Sequence, residues 1–134
     1  MQEYIEWKQS YSVNNSEIDS HHKKIIQMIN ALGNSEDEQI VHIVVGELKQ
    51  YLDYHFKAED KIMEEYKYPH IESHRLEHEG FISQVTKMSN YEAESKLKSG
   101  MIANFLNYWL IKHILDTDKS LFKYIEKMEN IHGD

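Results

Sequence analysis

Cysteine is absent from all 134 residues. That excludes disulfides, thiolate metal sites and cysteine nucleophiles. Proline occurs once and glycine five times, too few for a chain of short strands and tight turns. Basic charge is also scarce, with 15 Lys and Arg against 23 Asp and Glu and a net charge of −8. No Lys/Arg stripe is present to neutralise phosphates, which argues against nucleic acid and against an anionic membrane surface as partners. No segment approaches a membrane span. The opening MQEYIEWKQSYSV shows no basic stretch followed by an apolar one, so the expectation is a cytoplasmic protein. The length suits one domain over residues 1–134 with a real core, and the acidic, mixed surface leans towards a monomer.

What is present is helical periodicity, in four segments. The first runs from about Ile18 to Leu32 and lines up Ile18, His22, Ile25, Ile26, Ile29 and Leu32. The second covers roughly Gln39 to Tyr66, with Ile40, Ile43, Val44, Leu48, Tyr51, Leu52, His55, Glu59, Ile62 and Met63 in its pattern. A third is expected to start at Pro69, a favourable first helical position, and continues through Ile71, His74, His78, Phe81, Ile82 and Val85. The fourth begins after Tyr91 and includes Leu97, Met101, Phe105, Tyr108, Trp109 and Lys112 to Leu115. A short amphipathic piece, LFKYIEKM, closes the chain, and connections fall at GNSED, YKYP and NYEAES. The pattern predicts an all-α, up-down-up-down four-helix bundle with an irregular N-terminal arm and a short C-terminal helix.

Histidines occupy the apolar faces. His55 and Glu59 are four apart, as are His74 and His78, so each pair stacks on one side of its helix. His22 lies between Ile18 and Ile25, and His113 follows Trp109 and Leu110. A lone core histidine is usually a hydrogen-bonded structural residue, and a lone His-x-x-x-His is a weak signal. Here several converge. In antiparallel helices, residues at one height are equidistant from the connecting turn. The His55/Glu59 and His74/His78 pairs are equidistant from Tyr66–Pro69, and His74/His78 and His113 from NYEAES. His22 fits loosely and suggests a first turn centred later than Gly33. Buried together and unpaired, these groups would be strongly destabilising, so a partner is implied.

Five imidazoles and a carboxylate exceed the four ligands of a tetrahedral zinc site. Two iron or manganese ions bridged by carboxylates suit them better. The Glu-x-x-His repeat of ferritin-like sites occurs only at Glu129–His132, so the expected dinuclear site is of another, histidine-rich kind.

Trp7, Ile18-Asp19-x-x-His22, His55-Phe56-x-x-Glu59, Met63, Tyr68-Pro69, His74-x-x-x-His78-x-x-Phe81 and Trp109-Leu110-x-x-His113-Ile114-x-x-x-Asp118 follow one another in order. This ordered set resembles the hemerythrins, specifically the single-domain bacterial type, over nearly the whole chain. The resemblance implies seven metal ligands: His22, His55, Glu59, His74, His78, His113 and Asp118. It implies one iron on His74, His78 and His113 and another on His22 and His55. Glu59 and Asp118 would bridge them together with an oxo or hydroxo group. The iron with two histidines would keep an open position for dioxygen. Geometry by itself would favour Asp116 over Asp118, because five residues turn a straight α-helix by about 140° beyond a full turn. The family pattern selects Asp118 and so implies a break, bulge or restart between His113 and Asp118, with Asp116 solvated or capping the last helix.

Some positions depart from the pattern. His21 stands where the family often has Gln, and is expected at the surface or just behind the ligands. Asn14 replaces a family glycine and tolerates left-handed backbone. His70 is expected near solvent, and His42 and His132 have no partner pattern. The function implied is reversible dioxygen binding without catalysis, for carriage, storage or delivery. Ile111, Ile25, Ile26 and Trp109 are the expected walls of the oxygen pocket. An oxygen or redox sensor and a diiron peroxidase or oxidase are the alternatives.

Overall fold

The computed structural model describes residues 4–90 and 95–132, with side chains through 4–90 and 98–130. The side chains of Leu97 and His132, and residues 91–94 of the NYEAES connection, lie outside that description. Among the described residues five helices run in order: α1 Ser16–Gly33, α2 Glu38–Glu65, α3 Ile71–Ser89, α4 Ser95–Lys112 and α5 Lys119–His132. A six-residue π turn, His113–Asp118, joins α4 to α5, and one 3-10 turn, Gln9–Tyr11, interrupts the N-terminal arm. No strand occurs among the described residues. Helix α1 packs on α2 and α4, and α3 packs on the same two. That is the cyclic neighbour order of an up-down-up-down bundle.

Helix starts follow local chemistry. The Asn15 side chain accepts the Ile18 N–H at 3.0 Å, and Asp37 Oδ1 accepts the Gln39 N–H at 2.9 Å, each satisfying an amide the helix cannot. Helix α3 begins two residues later than expected. Pro69 sits in a turn in which the Ile71 N–H reaches the Tyr68 carbonyl at 3.3 Å. Its fixed φ suits the second position of that turn as well as it suits a helix start. Before it, Lys67 adopts φ 53°, and the Tyr68 N–H bonds back to the Met63 carbonyl at 2.9 Å. This is a left-handed C-terminal cap built on a residue other than glycine.

The arm is anchored to α1. Asn30 Oδ1 accepts the Tyr4 and Ile5 N–H groups at 2.7 and 3.1 Å, and its Nδ2 donates to the Ile5 carbonyl at 2.9 Å. The Tyr4 ring occupies the space where a Cβ on Gly33 would stand, 2.1 Å from that point, so this glycine allows the arm to lie close. Asn14 is left-handed at φ 60°. Asp19 ties the arm's end by accepting from Ser12 Oγ and the Val13 N–H.

Two of the expected apolar stripes are displaced. In α2, Ile40 and Ile43 are exposed, and Val41 and Val45 enter the core instead. In α4, Met101 and Tyr108 face outward, while Ile102, Ala103, Leu106 and Leu110 are buried. Apolar side chains surround α4 on nearly every side, so periodicity alone does not select a face. Packing against α1 and α3 does. Elsewhere the stripe holds, and Ile18, Ile25, Ile29, Leu48, Leu52, Met63, Phe81 and Ile114 form the core together with His22, His55, Glu59, His74, His78, His113 and Asp118.

Candidate metal centre

The seven polar residues meet at mid-bundle, one or two each from α1, α2, α3 and the π turn after α4. Helix α1 brings His22, α2 brings His55 and Glu59, and α3 brings His74 and His78. The π turn brings His113 and Asp118. It also answers the question of register. In α geometry His113 and Asp118 would diverge, but the i→i+5 bonding of a π turn brings residues five apart nearly into line. Lys112 and Lys119 on either side keep right-handed helical dihedrals, so the chain bulges without breaking. Asp116 is exposed.

The seven form two groups of donor atoms, each within a 4.8 Å limit: Glu59, His74, His78, His113 and Asp118 in one, and His22, His55, Glu59 and Asp118 in the other. The carboxylates belong to both. Glu59 Oε2 lies 2.8 Å from His55 Nε2 and 3.8 Å from His22 Nε2, while its Oε1 lies 3.0 Å from His74 Nε2 and 3.2 Å from His78 Nε2. Asp118 divides in the same way. Its Oδ2 is 3.2 Å from His22 Nε2, and its Oδ1 is 3.2 Å from His113 Nε2 and 3.4 Å from His74 Nε2. All five imidazoles present Nε2 to the interior.

Only part of this proximity is hydrogen bonding: His74 Nε2 bonds Glu59 Oε1 at 3.0 Å and His78 Nε2 lies 3.1 Å from His113 Nε2. Both Asp118 oxygens, Glu59 Oε2 and His22 Nε2 are buried without a hydrogen-bond partner. They lie close to one another but point at common centres. Unpaired carboxylates in an apolar interior are strongly destabilising, and cations at the two centres would satisfy them. The donor chemistry, imidazole with bridging carboxylate, fits iron or manganese.

The electrostatics agree with this arrangement. Burial opposes charge on His22, but the nearby Asp118 and Glu59 carboxylates outweigh it and push the imidazole up to about 9. His74 moves the same way, to about 9. His113 goes to about 10, as the Asp118 charge overrides burial. Burial prevails at His78, which is pushed down. Burial would raise Glu59, but the neighbouring imidazoles, His55 foremost, hold it well below the usual carboxylate range. Asp118 is held low by His113 and His22 against burial and the Glu59 charge. Without a metal, protons on the imidazoles serve as the counter-charge.

Residues 13–125 match the family model of the hemerythrin HHE cation binding domain. The chain belongs to the hemerythrin family. Bacteriohemerythrin of Clostridium acetobutylicum is 27% identical over 125 residues, covering 84% of this chain and 95% of that protein. Bacteriohemerythrin of Stenotrophomonas maltophilia is 30% identical over 118 residues, covering 85% and 76%. A crystal structure of a hemerythrin with a leucine-to-alanine substitution superposes with a TM-score of 0.81 at 20% identity, covering 92% of this chain and 98% of that one. That last likeness speaks for the fold.

Around the hemerythrin centre lie groups that sequence reading did not single out. Glu77 Oε1 accepts from His113 Nδ1 at 2.5 Å and from Thr117 Oγ1 at 3.0 Å. The His113 hydrogen bond, foremost, lowers the Glu77 carboxyl. In sequence Glu77 looks like one more solvated glutamate on α3, and only the packing of α4 brings His113 against it. The Phe56 ring stacks on His78 with centroids 3.8 Å apart. His21, expected at the surface or behind the ligands, is buried and touches His55. The surface option is thereby excluded, because α2 covers that side of α1. His70 and His42 are exposed. Of the expected pocket residues, Ile25 and Ile26 are buried one turn from His22, and Ile111 is partly buried against the core. Trp109 stacks on His113, 4.4 Å between centroids, which puts it beside the three-histidine group, away from His55. Among the described residues no helix is long and apolar enough to cross a membrane.

Proposed function

We propose that this chain binds dioxygen reversibly at a non-heme diiron centre, as a carrier or store and not as an enzyme. One observation carries the reading. Glu59 and Asp118 each turn one oxygen towards a two-histidine group and the other towards a three-histidine group, as bridging ligands do. The three-histidine group offers five residues and the two-histidine group four, so the position beside His22 and His55 is one donor short and would leave a coordination place for a small diatomic ligand. Two iron(II) ions held there would supply the electrons that reversible dioxygen uptake needs.

The protein's own part is to hold and to exclude. Glu59 and Asp118 fix the two positions relative to each other. The five Nε2 atoms provide neutral donors, and Glu77 orients His113 through its Nδ1–H. Ile25 and Ile26, buried one turn from His22, and Ile111 would keep water and protons away from whatever binds at the two-histidine end. Trp109 walls the opposite end.

A second reading, a diiron peroxidase or oxidase, has one observation in its favour. A surface groove of about 540 Å³ between α2 and α3 reaches Phe56 and His78 and could admit a co-substrate. Optical spectra of the anaerobically reduced, iron-loaded protein distinguish the two. A carrier develops a new visible absorption on exposure to oxygen and loses it under vacuum, over several cycles. Irreversible oxidation on first contact, with peroxide or an oxidised co-substrate as product, would overturn the carrier reading in favour of the enzyme.

A further inference from the structure

Behind the two-histidine group stands a third histidine. His21 Nδ1 lies 2.9 Å from His55 Nδ1, and the two rings meet edge to face with centroids 5.1 Å apart. His21 is 5% exposed. Tyr54 and Tyr51 flank its ring at 5.2 and 6.0 Å. Two nitrogens at this separation share a single hydrogen, so one donates and the other accepts. His55 turns its Nε2 towards Glu59, and a metal held there requires the Nε2 lone pair, which leaves the hydrogen of a neutral ring on Nδ1. His21 must then accept it. Its own hydrogen belongs on Nε2, which faces the Glu17 carboxylate at 3.9 Å, one turn back on α1. The neighbours on both sides therefore favour the same arrangement.

We propose that His21 is a positioning residue: it accepts the Nδ1–H of His55 and so fixes which nitrogen of His55, and which ring orientation, faces the two-histidine metal position. This rests on the diiron reading and deepens it. Glu77 does the corresponding work for His113 in the other group, but with a charged acceptor. The two positions are therefore backed unequally, a carboxylate behind one and a neutral ring behind the other. A carboxylate acceptor makes its imidazole the stronger donor, so the ion beside His55 is the more weakly held.

The test compares iron-loaded wild type with His21→Phe, which fills the space without an acceptor, and His21→Gln, which keeps one. Ferrous iron release to a chelator is followed under anaerobic conditions. The expected result is biphasic: in His21→Phe one of the two irons leaves at least ten-fold faster than in wild type, roughly the effect of losing such a partner, while the second is unchanged. His21→Gln should restore the wild-type rate. Proton NMR of the reduced protein gives a second readout. A paramagnetically shifted ring N–H, slow to exchange in wild type and in His21→Gln, should exchange fast in His21→Phe. Unchanged release and unchanged exchange in His21→Phe would overturn this proposal alone, leaving the diiron reading intact. Equal acceleration of both irons in His21→Gln and His21→Phe would reduce His21 to a packing residue. Wild type that takes up fewer than two irons would overturn the diiron reading, and this proposal with it.

Discussion

His113 and Asp118 face each other across a π turn, Nε2 to Oδ1, at 3.2 Å. Five residues of α-helix would have carried the carboxylate away from the imidazole. The bulge turns it back and leaves Asp116, the better-aligned residue in a straight helix, in solvent. Replacing Asp118 with Ala should therefore reduce iron from two ions per chain to one or none, measured by metal analysis of protein loaded with excess iron(II). Asp116→Ala should load normally. Reversed outcomes would mean that the bulge does not set the ligand.

Protonation and metal binding should oppose each other. In metal-free protein, Glu59 and Asp118 are held low, so their contribution to stability is full above the ordinary carboxylate value near ~4 and lost as pH falls below it. His22, His74 and His113 are raised to about 9, 9 and 10. Their contribution is full below 6.5 and lost as pH climbs through those values. Metal-free protein should therefore melt highest between roughly pH 4.5 and 6.5 and lower at pH 9. Metal uptake has the opposite sign, since the ion needs unprotonated nitrogens. Anaerobic calorimetric titration with iron(II) in buffers of different ionisation heat should show up to three protons released at pH 7, one from each raised histidine, and fewer towards pH 10. A release that does not vary with pH would contradict the charge arrangement.

Lys67 holds φ 53° at the end of α2, a conformation natural to glycine and strained for a residue with a Cβ. Lys67→Gly should stabilise the protein by about 0.5–1 kcal/mol, because the relieved strain exceeds the added freedom of the unfolded chain. Chemical denaturation with unchanged slope is the measurement. A loss of stability would show that the Lys67 side chain contributes more than its backbone strain removes.

In the proposed reading Ile111, partly buried against the core, shields the two-histidine position without ligating it. Ile111→Thr should leave iron content unchanged and speed autoxidation of the oxygenated protein about ten-fold, which corresponds to ~1.4 kcal/mol of barrier. Optical decay at constant oxygen measures this. Equal rates in both proteins would remove Ile111 from the pocket.

The helices, their order and six of the seven polar residues that converge were legible in the chain because helical periodicity and equal distances from the turns coincide there. Apolar residues every three or four positions define the buried face of α1, α2 and α3, and His22, His55, Glu59, His74 and His78 fall on it at helical spacing. Polar groups on an apolar face announce a partner, and their equal distances from the turns announce a common height. Asp118 was reached through family resemblance, since a straight helix would have favoured Asp116. Tertiary packing decided the rest. It turned Ile40 and Ile43 outward and chose one face of α4, whose apolar ring gives periodicity nothing to select. It also set Glu77 behind His113 and His21 behind His55. Those contacts join residues more than thirty positions apart through hydrogen bonds of a few ångströms, and bonds so short depend on how whole helices sit against one another, a property that no local spacing encodes.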